Sequence, residues 1–380
     1  MTNSECLIEV EECAAADDLI GSAESIFNNQ LEPTSLIDSF VRHPPDRFEI
    51  LNCAASRAPA FAAPFHLLTT ADESLRRRFS ALPFYRQWSG VLQPRVAFVG
   101  TTVSEYVLLP SDEDVRGLPV LWKSAWASRF PLLIIKDIPQ RSSLLSELEN
   151  RRADELVLAC EAQGYFVLEG QALAYVTVDF ADVSTFLDRL SSSRRKNLRR
   201  KMRSLDQLEL TQVPTGDARF ADERLIDEYF ALYLSVFAQS EIQFDQLSRD
   251  FLASLLRDPR RGGLVFEYRR RGAFERLVGW NLCFVTGGKL VDKYIGLSYP
   301  AARELNLYFV SWMVNLEFAA KAGLSHYVAG WTDPEVKAQL GAKFTFTRHA
   351  VYTRHKLLRA VGRRLSKRLA IDRDRVPQCP

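Results

Sequence analysis

The sequence predicts a mixed α/β protein, an α+β mixed sheet organised in two units, and three observations carry that expectation. Segments with strand character alternate with helical ones along the whole chain. The length of 380 residues exceeds one ordinary core. Apolar residues at 47% and charged residues at 25% supply an interior and a solvated surface in globular proportion.

In the first half, residues 7–10 read as a short strand, and 14–29 and 34–41 as helices. Stretches 47–52, 64–69 and 95–109 have strand character, the last rich in β-branched and aromatic residues around a central turn. A helix is expected over 112–128 and a buried strand over 130–136, an apolar run closed by a charge. Residues 142–163 read as a helix with Ser142 as its cap and Gly164 as its stop. Strands over 165–168 and 173–178 complete this half.

Residues 182–205 read as one helix whose end is densely basic, and the domain boundary falls near it. Beyond it come a strand at 208–213, amphipathic helices at 222–239 and 243–257, and strands at 263–269 and 276–286. Gly287-Gly288 signals a tight turn into a strand at 289–297. A loop over 298–305, an apolar helix over 306–322, a strand at 325–329, a short helix at 333–340 and a strand at 344–354 follow. The resulting units are 1–181, 182–354 and a basic helix and tail at 355–380.

The order of elements in the second half, with SSSRRKNLRRKMRSL at 191–205 and the stretch from VGWNLCFVTGGKL to VKAQLGAKF at 278–344, resembles the GNAT superfamily. The resemblance is to N-acyltransferases with two GNAT-like halves, relatives of the Fem-type peptidoglycan ligases. It covers residues 182–354, and size and element order make the first half a degenerate GNAT-like unit. The resemblance implies a tandem GNAT-like fold, a central splayed mixed β-sheet flanked by helices. It implies acyl-CoA as co-substrate, no metal, and a small-molecule or peptide-like amine acceptor. Simpler members carry a Q/R-x-x-G-x-G/A loop where this chain has Ser298-Tyr-Pro-Ala-Ala-Arg-Glu-Leu305, so aminoacyl-tRNA stays open as the donor carrier.

In that arrangement a helix start presents free N–H groups to a pyrophosphate. Leu297, Ser298, Arg303, Asn306 and Leu307 are the carrier-binding candidates, with Arg303 able to grip a phosphate through two N–H groups. Amine attack on an acyl carbonyl needs a base, for which Asp292, Glu304 and Asp333 are candidates. A proton donor comes from Tyr294, Tyr299 or Tyr308. Asn281, Tyr308, Thr332 and Lys337 are candidates for substrate contact, Lys337 through the resemblance. Each has a structural alternative: Asp292 beside Lys293 as an ion pair, Glu304 as a favourable charge at a helix start, Tyr308 as packing, and Thr332 or Asp333 as a helix cap.

Six scattered cysteines without C-x-x-C spacing read as reduced thiols, and five separated histidines imply no metal site. The acidic start lacks signal-peptide character and no apolar run is long enough to span a bilayer, so a cytoplasmic protein is expected. A net charge of +2 names no partner, but two basic helices do stand out. One ends in Arg194, Arg195, Lys196, Arg199, Arg200, Lys201 and Arg203. The other, at 354–368, carries an apolar stripe of Leu357, Leu358, Val361, Leu365 and Leu369. They read as solvated faces, as a polyanion site that would suit tRNA, or, for the last helix, as weak contact with an anionic surface. A non-catalytic anion-binding module on the same fold is the remaining alternative.

Overall fold

The computed structural model describes residues 26–66, 93–240, 243–260, 262–272 and 276–365. The strand expected at 7–10 and nearly all of the helix expected at 14–29 lie outside them. The first half contains β1 (Phe27–Asn28), α1 (Thr34–Arg42), β2 (Glu49–Cys53), β3 (Ser56–Pro64), β4 (Arg95–Val99), β5 (Leu109–Pro110), α2 (Leu118–Trp126), β6 (Leu132–Gln140), α3 (Glu147–Ala162) and β7 (Phe166–Thr177). The second half opens with α4 (Val183–Asp188), α5 (Ser192–Met202), β8 (Leu208–Pro214), α6 (Glu223–Phe237) and α7 (Arg249–Leu256). It continues with β9 (Gly263–Arg270), β10 (Leu277–Thr286), β11 (Lys289–Leu297), α8 (Ala301–Glu304) and α9 (Leu307–Lys321). It closes with β12 (His326–Gly330), α10 (Pro334–Gln339), β13 (Lys343–Thr353) and α11 (Lys356–Leu365).

Where these bounds depart from the sequence reading, local hydrogen bonding gives the reason. The cap of α3 is Ser146, whose hydroxyl accepts from Glu149 N–H at 3.3 Å while Glu149 accepts from Ser146 N–H at 2.8 Å. Ser142, the expected cap, instead meets the Tyr106 hydroxyl at 2.8 Å. The helix expected over 182–205 is two helices. Asp182 caps the first, accepting from Thr185 N–H at 2.7 Å, and a break precedes α5. The strand pair expected over 95–109 stops at Val99, because Thr101 Oγ1 accepts from the N–H groups of Val103 and Ser104 and turns the chain out of the sheet. The two strands expected over 165–178 are the single β7, held along its length by β13 from Lys343↔Tyr175 to Val351↔Phe166. The loop expected over 298–305 contains the one-turn α8.

One eleven-stranded sheet runs through both halves in the order β2-β3-β4-β6-β13-β7-β12-β11-β10-β9-β8. Each half repeats the same plan. In the first, β2, β3 and β4 are antiparallel, and β4 runs parallel to β6 for three pairs, Ala97↔Leu133 to Val99↔Ile135. In the second, β9, β10 and β11 are antiparallel, and β11 runs parallel to β12 for three pairs, Lys289↔His326 to Val291↔Val328. The last strand of each half is exchanged. β13 lies between β6 and β7, and β7 pairs with β12. Each half therefore completes the other's sheet.

Apolar side chains fill both faces. On one face of the second half, Leu307, Val310, Met313, Val314 and Leu316 of α9 pack on β10 to β12. On the other, α6 and α7 pack with Phe40, Phe61 and Phe98 of the first half, joining the two halves through one core. Phe244 reaches the same cluster at 5.2 Å from the Phe48 ring and 5.8 Å from that of Phe98. Gly296 on β11 is required by close packing. A Cβ there would lie 2.3 Å from Trp280 Nε1, a group already committed to Tyr229 O at 3.1 Å, and 2.9 Å from Leu232 Cβ. Gly296→Ala is expected to lower stability by about 1–3 kcal/mol, read from urea unfolding.

Candidate functional site

The parallel pairing of β11 and β12 ends at Val291↔Val328, while β11 continues to Leu297. From Asp292 onward the two strands diverge and the edge of β11 facing β12 is released from the ladder. At this point β11 also carries a bulge: Cys283 pairs with Asp292 and Leu282 with Tyr294, leaving Lys293 extra.

The bulge decides which way three neighbouring side chains point. Asp292 turns toward α9. Its Oδ2 accepts from Tyr327 OH at 2.8 Å and from Asn315 Nδ2 at 3.0 Å, and its Oδ1 from the Cys283 thiol at 3.6 Å. Burial first, against the opposing pull of the Tyr327 bond and of Lys337, raises its pKa above the ordinary carboxylate value. Behind it the chain of bonds continues from Asn281 Nδ2 to Asn315 Oδ1 at 3.1 Å and from Tyr268 OH to Asn281 Oδ1 at 2.9 Å. Tyr294 turns to the opposite face, edge-on to Phe251 at 5.9 Å, with its hydroxyl buried and unbonded among the described residues. The bulge therefore separates Asp292, a base candidate of the sequence reading, from Tyr294, one of its proton-donor candidates.

Lys293 is not an ion-pair partner of Asp292. It reaches into the first half, 2.5 Å from Glu105 Oε1 and 3.4 Å from Glu32 Oε1, and all three side chains are almost wholly buried. Burial, tempered by Lys293 and reinforced by Glu105, pushes the Glu32 pKa up to about 7.

Lys337 on α10 reaches back to β12. It is 4% exposed and donates to Ala329 O at 2.5 Å. Burial lowers its pKa to about 8, partly offset by Asp292 and Asp333. The two groups are not hydrogen-bonded but act on one another electrostatically, so a buried carboxylate of raised proton affinity and a buried amine of lowered proton affinity lie in one neighbourhood. Tyr308 on α9 brings a buried hydroxyl, unbonded among the described residues, to the same neighbourhood, its pKa raised by burial and by Asp333 and Asp292.

The turn from β11 to α9 is more ordered than a loop. Asn306 is left-handed at φ 52° and precedes α9 without a side-chain cap, its amide donating to Ser204 at 3.2 Å. The N–H groups of Leu307 and Tyr308 form no backbone hydrogen bond among the described residues, so they are free at the positive end of a fifteen-residue helix. The neighbouring Ser298 N–H is committed to Val278 O at 2.9 Å and Leu297 is buried in the core. Arg303 is exposed, donates to Gln239 Oε1 at 2.8 Å and lies over the Tyr299 ring. Glu304 is 56% exposed on its side chain and pairs with Arg270 at 3.6 Å, so the structure does not bring it to Asp292. Thr332 is exposed, and Asp333, left-handed at φ 53°, makes no side-chain cap to α10.

The basic helix α5 borders this turn. Lys201 stands 3.0 Å from the centre of the Phe309 ring on α9, and Ser204 just beyond α5 holds Asn306. The equivalent divergence in the first half, between β4 and β6, is occupied by Lys136, whose amine donates to Thr101 O at 2.6 Å and pairs with Asp137.

Sequence reasoning missed Asn315, Tyr327 and the Glu32–Glu105–Lys293 cluster. Asn315 carried a signal, an amide inside a mostly apolar helix that needs partners when buried. The others carried none, since their partners lie 35 to 261 residues away.

Residues 192–338 match the family model described as Acetyltransferase (GNAT) domain. Among solved structures, the chain is similar to a C-terminal domain from Agrobacterium fabrum assigned to lysylphosphatidylglycerol synthetase, with a TM-score of 0.51, 12% identity, and 91% of this chain and 93% of that one covered. It is similar to the L-PGS of Bacillus licheniformis at 0.51 and 10% identity, covering 92% and 99%. It is likewise similar to FemX at 0.51 and 12% identity, covering 87% and 99%. At these identities the likeness is one of fold. No curated protein matches the sequence. Among the described residues no group of three His, Cys, Asp or Glu side chains converges as metal ligands, and no helix is long and apolar enough to cross a membrane.

Proposed function

From the match of residues 192–338 to the GNAT acetyltransferase domain model, we propose that the protein transfers an acyl group from a phosphate-bearing carrier to an amine acceptor, with acyl-CoA as the donor. The observation that carries this reading is the end of the β11–β12 ladder at Val291↔Val328, which opens a strand edge where Asp292, Lys337 and the start of α9 converge. The open edge offers backbone N–H groups to the acyl carbonyl, where they stabilise the negative charge that develops on attack. Asp292, with its raised proton affinity, takes the proton of the acceptor ammonium, and Tyr327 and Asn315 fix the oxygen that does so. Lys337, an amine near pKa 8, supplies a proton to the leaving group. The free N–H groups of Leu307 and Tyr308 receive the carrier's phosphate, with the cations of α5 beside them.

A thermal-shift series with free coenzyme A, acyl-CoAs and tRNA tests the reading. Coenzyme A at a hundredfold excess over Kd is expected to add about 2.7 kcal/mol of stability. If neither a CoA compound nor tRNA stabilises the protein or supports transfer, the reading is wrong. A second reading, aminoacyl-tRNA as the donor, is favoured by one feature: Arg194, Lys196 and Arg203 are exposed and make no ion pair among the described residues. It predicts ribonuclease-sensitive transfer. It also predicts that Arg194→Gln/Lys196→Gln reduces the slope of log K against log salt by about 0.7–0.9 for each charge removed, measured by tRNA titration.

A further inference from the structure

We propose that the start of α11, with the neighbouring α2, docks the protein on an anionic lipid surface. The helix is oriented against the usual rule. Gly362 faces the protein, since a Cβ there would lie 2.6 Å from the Phe166 ring, while Leu357 and Leu358 stand outward at 83% and 54% exposure. Two adjacent leucines turned to water, on a helix that already has a packed face, call for an apolar surface outside the protein.

The same corner supplies more of this surface. Lys123 of α2 and Arg359 of α11 both lie against the Tyr352 ring, at 4.8 Å and 5.4 Å, and Lys123 donates to Gln163 O just after α3 at 3.1 Å. Three helices therefore meet there. Of the other two, α2 also carries exposed apolar residues, Val120 and Leu121.

Charge selects the partner. Residues 354–365 include Arg354, Lys356, Arg359, Arg363 and Arg364 and no Asp or Glu, although Glu161 lines a cleft with Arg363. A second copy of this face would bring like charges together. A nucleic acid would take the cations and leave the leucines in water. An anionic bilayer surface takes both, leucines into the headgroup–acyl boundary and cations onto the headgroups.

The test is co-sedimentation of the full chain with phosphatidylcholine vesicles, with and without phosphatidylglycerol, at low and high salt. Binding is expected only with phosphatidylglycerol and should weaken with salt. Leu357→Ser/Leu358→Ser should weaken it by about tenfold or more, with no loss of thermal stability because both side chains are already exposed. Lys356→Gln/Arg364→Gln should weaken it by about fivefold for each cation at low salt. Absence of binding, equal binding to neutral vesicles, or unchanged binding by the leucine variant would overturn the proposal. So would a dimer that the leucine variant dissolves without any vesicle binding, which would assign the face to self-association.

Discussion

Asp292→Asn is expected to lower the rate of acyl transfer by about 10²–10⁴-fold, the usual contribution of a positioned base, while leaving carrier binding within a few-fold of wild type. The amide keeps the shape of the carboxyl and can still accept from Tyr327 and Asn315, so the cleft keeps its form and only the proton acceptor is lost. The pH profile adds a readout that a packing role would not move. Wild-type activity should rise as Asp292 loses its proton, at a pH above the ordinary carboxylate range. It should fall near pH 8 as Lys337 loses its own. Asp292→Asn should remove the acidic limb, and Lys337→Met the alkaline one. Full turnover by Asp292→Asn, measured in single-turnover assays with the donor that stabilises the protein, would show that the base lies elsewhere.

The second large effect is on stability. Lys293→Met leaves Glu32 and Glu105 buried and without their shared cation, and is expected to destabilise the fold by about 3–5 kcal/mol in urea unfolding. The triple variant Lys293→Met/Glu32→Gln/Glu105→Gln removes the stranded charges and should recover much of that loss. A loss below about 1 kcal/mol in the single variant would mean that the cluster is far better solvated than its burial implies. The cluster also predicts a pH dependence. The folded pKa of Glu32, about 7, lies above the ordinary glutamate value of 4.5. Its contribution to stability is therefore complete below pH 4.5 and is lost as pH rises through 7. Glu32→Gln should flatten stability over that window, as followed by unfolding midpoints at a series of pH values.

Much of the candidate site was legible before the fold was known. Asp292, Asn281, Tyr308 and Lys337 are brought into one neighbourhood by hydrogen bonds and mutual electrostatics, because a strand, a turn and an apolar helix in succession place their ends together wherever this order folds. Glu304 and Thr332 were chosen on the same spacing and are exposed, since spacing locates a residue on an element but does not set the direction of its side chain. The separation of Tyr294 from Asp292 came from a single extra residue in β11, and a bulge leaves little trace in the alternation of polar and apolar residues.

By itself the sequence determined the local pattern: the strand at Lys289–Leu297, the apolar helix that follows, the basic helix before them and the order that resembles a GNAT unit. Those features follow from periodicity, propensity and turn residues within short windows, where neighbouring residues alone set the energy. Only the tertiary structure decided that β7 and β13 change places between the halves, that Lys293 joins Glu32 and Glu105, and that Leu357 and Leu358 face outward. Each of these depends on groups distant in sequence competing for the same buried space, and no local window contains that competition.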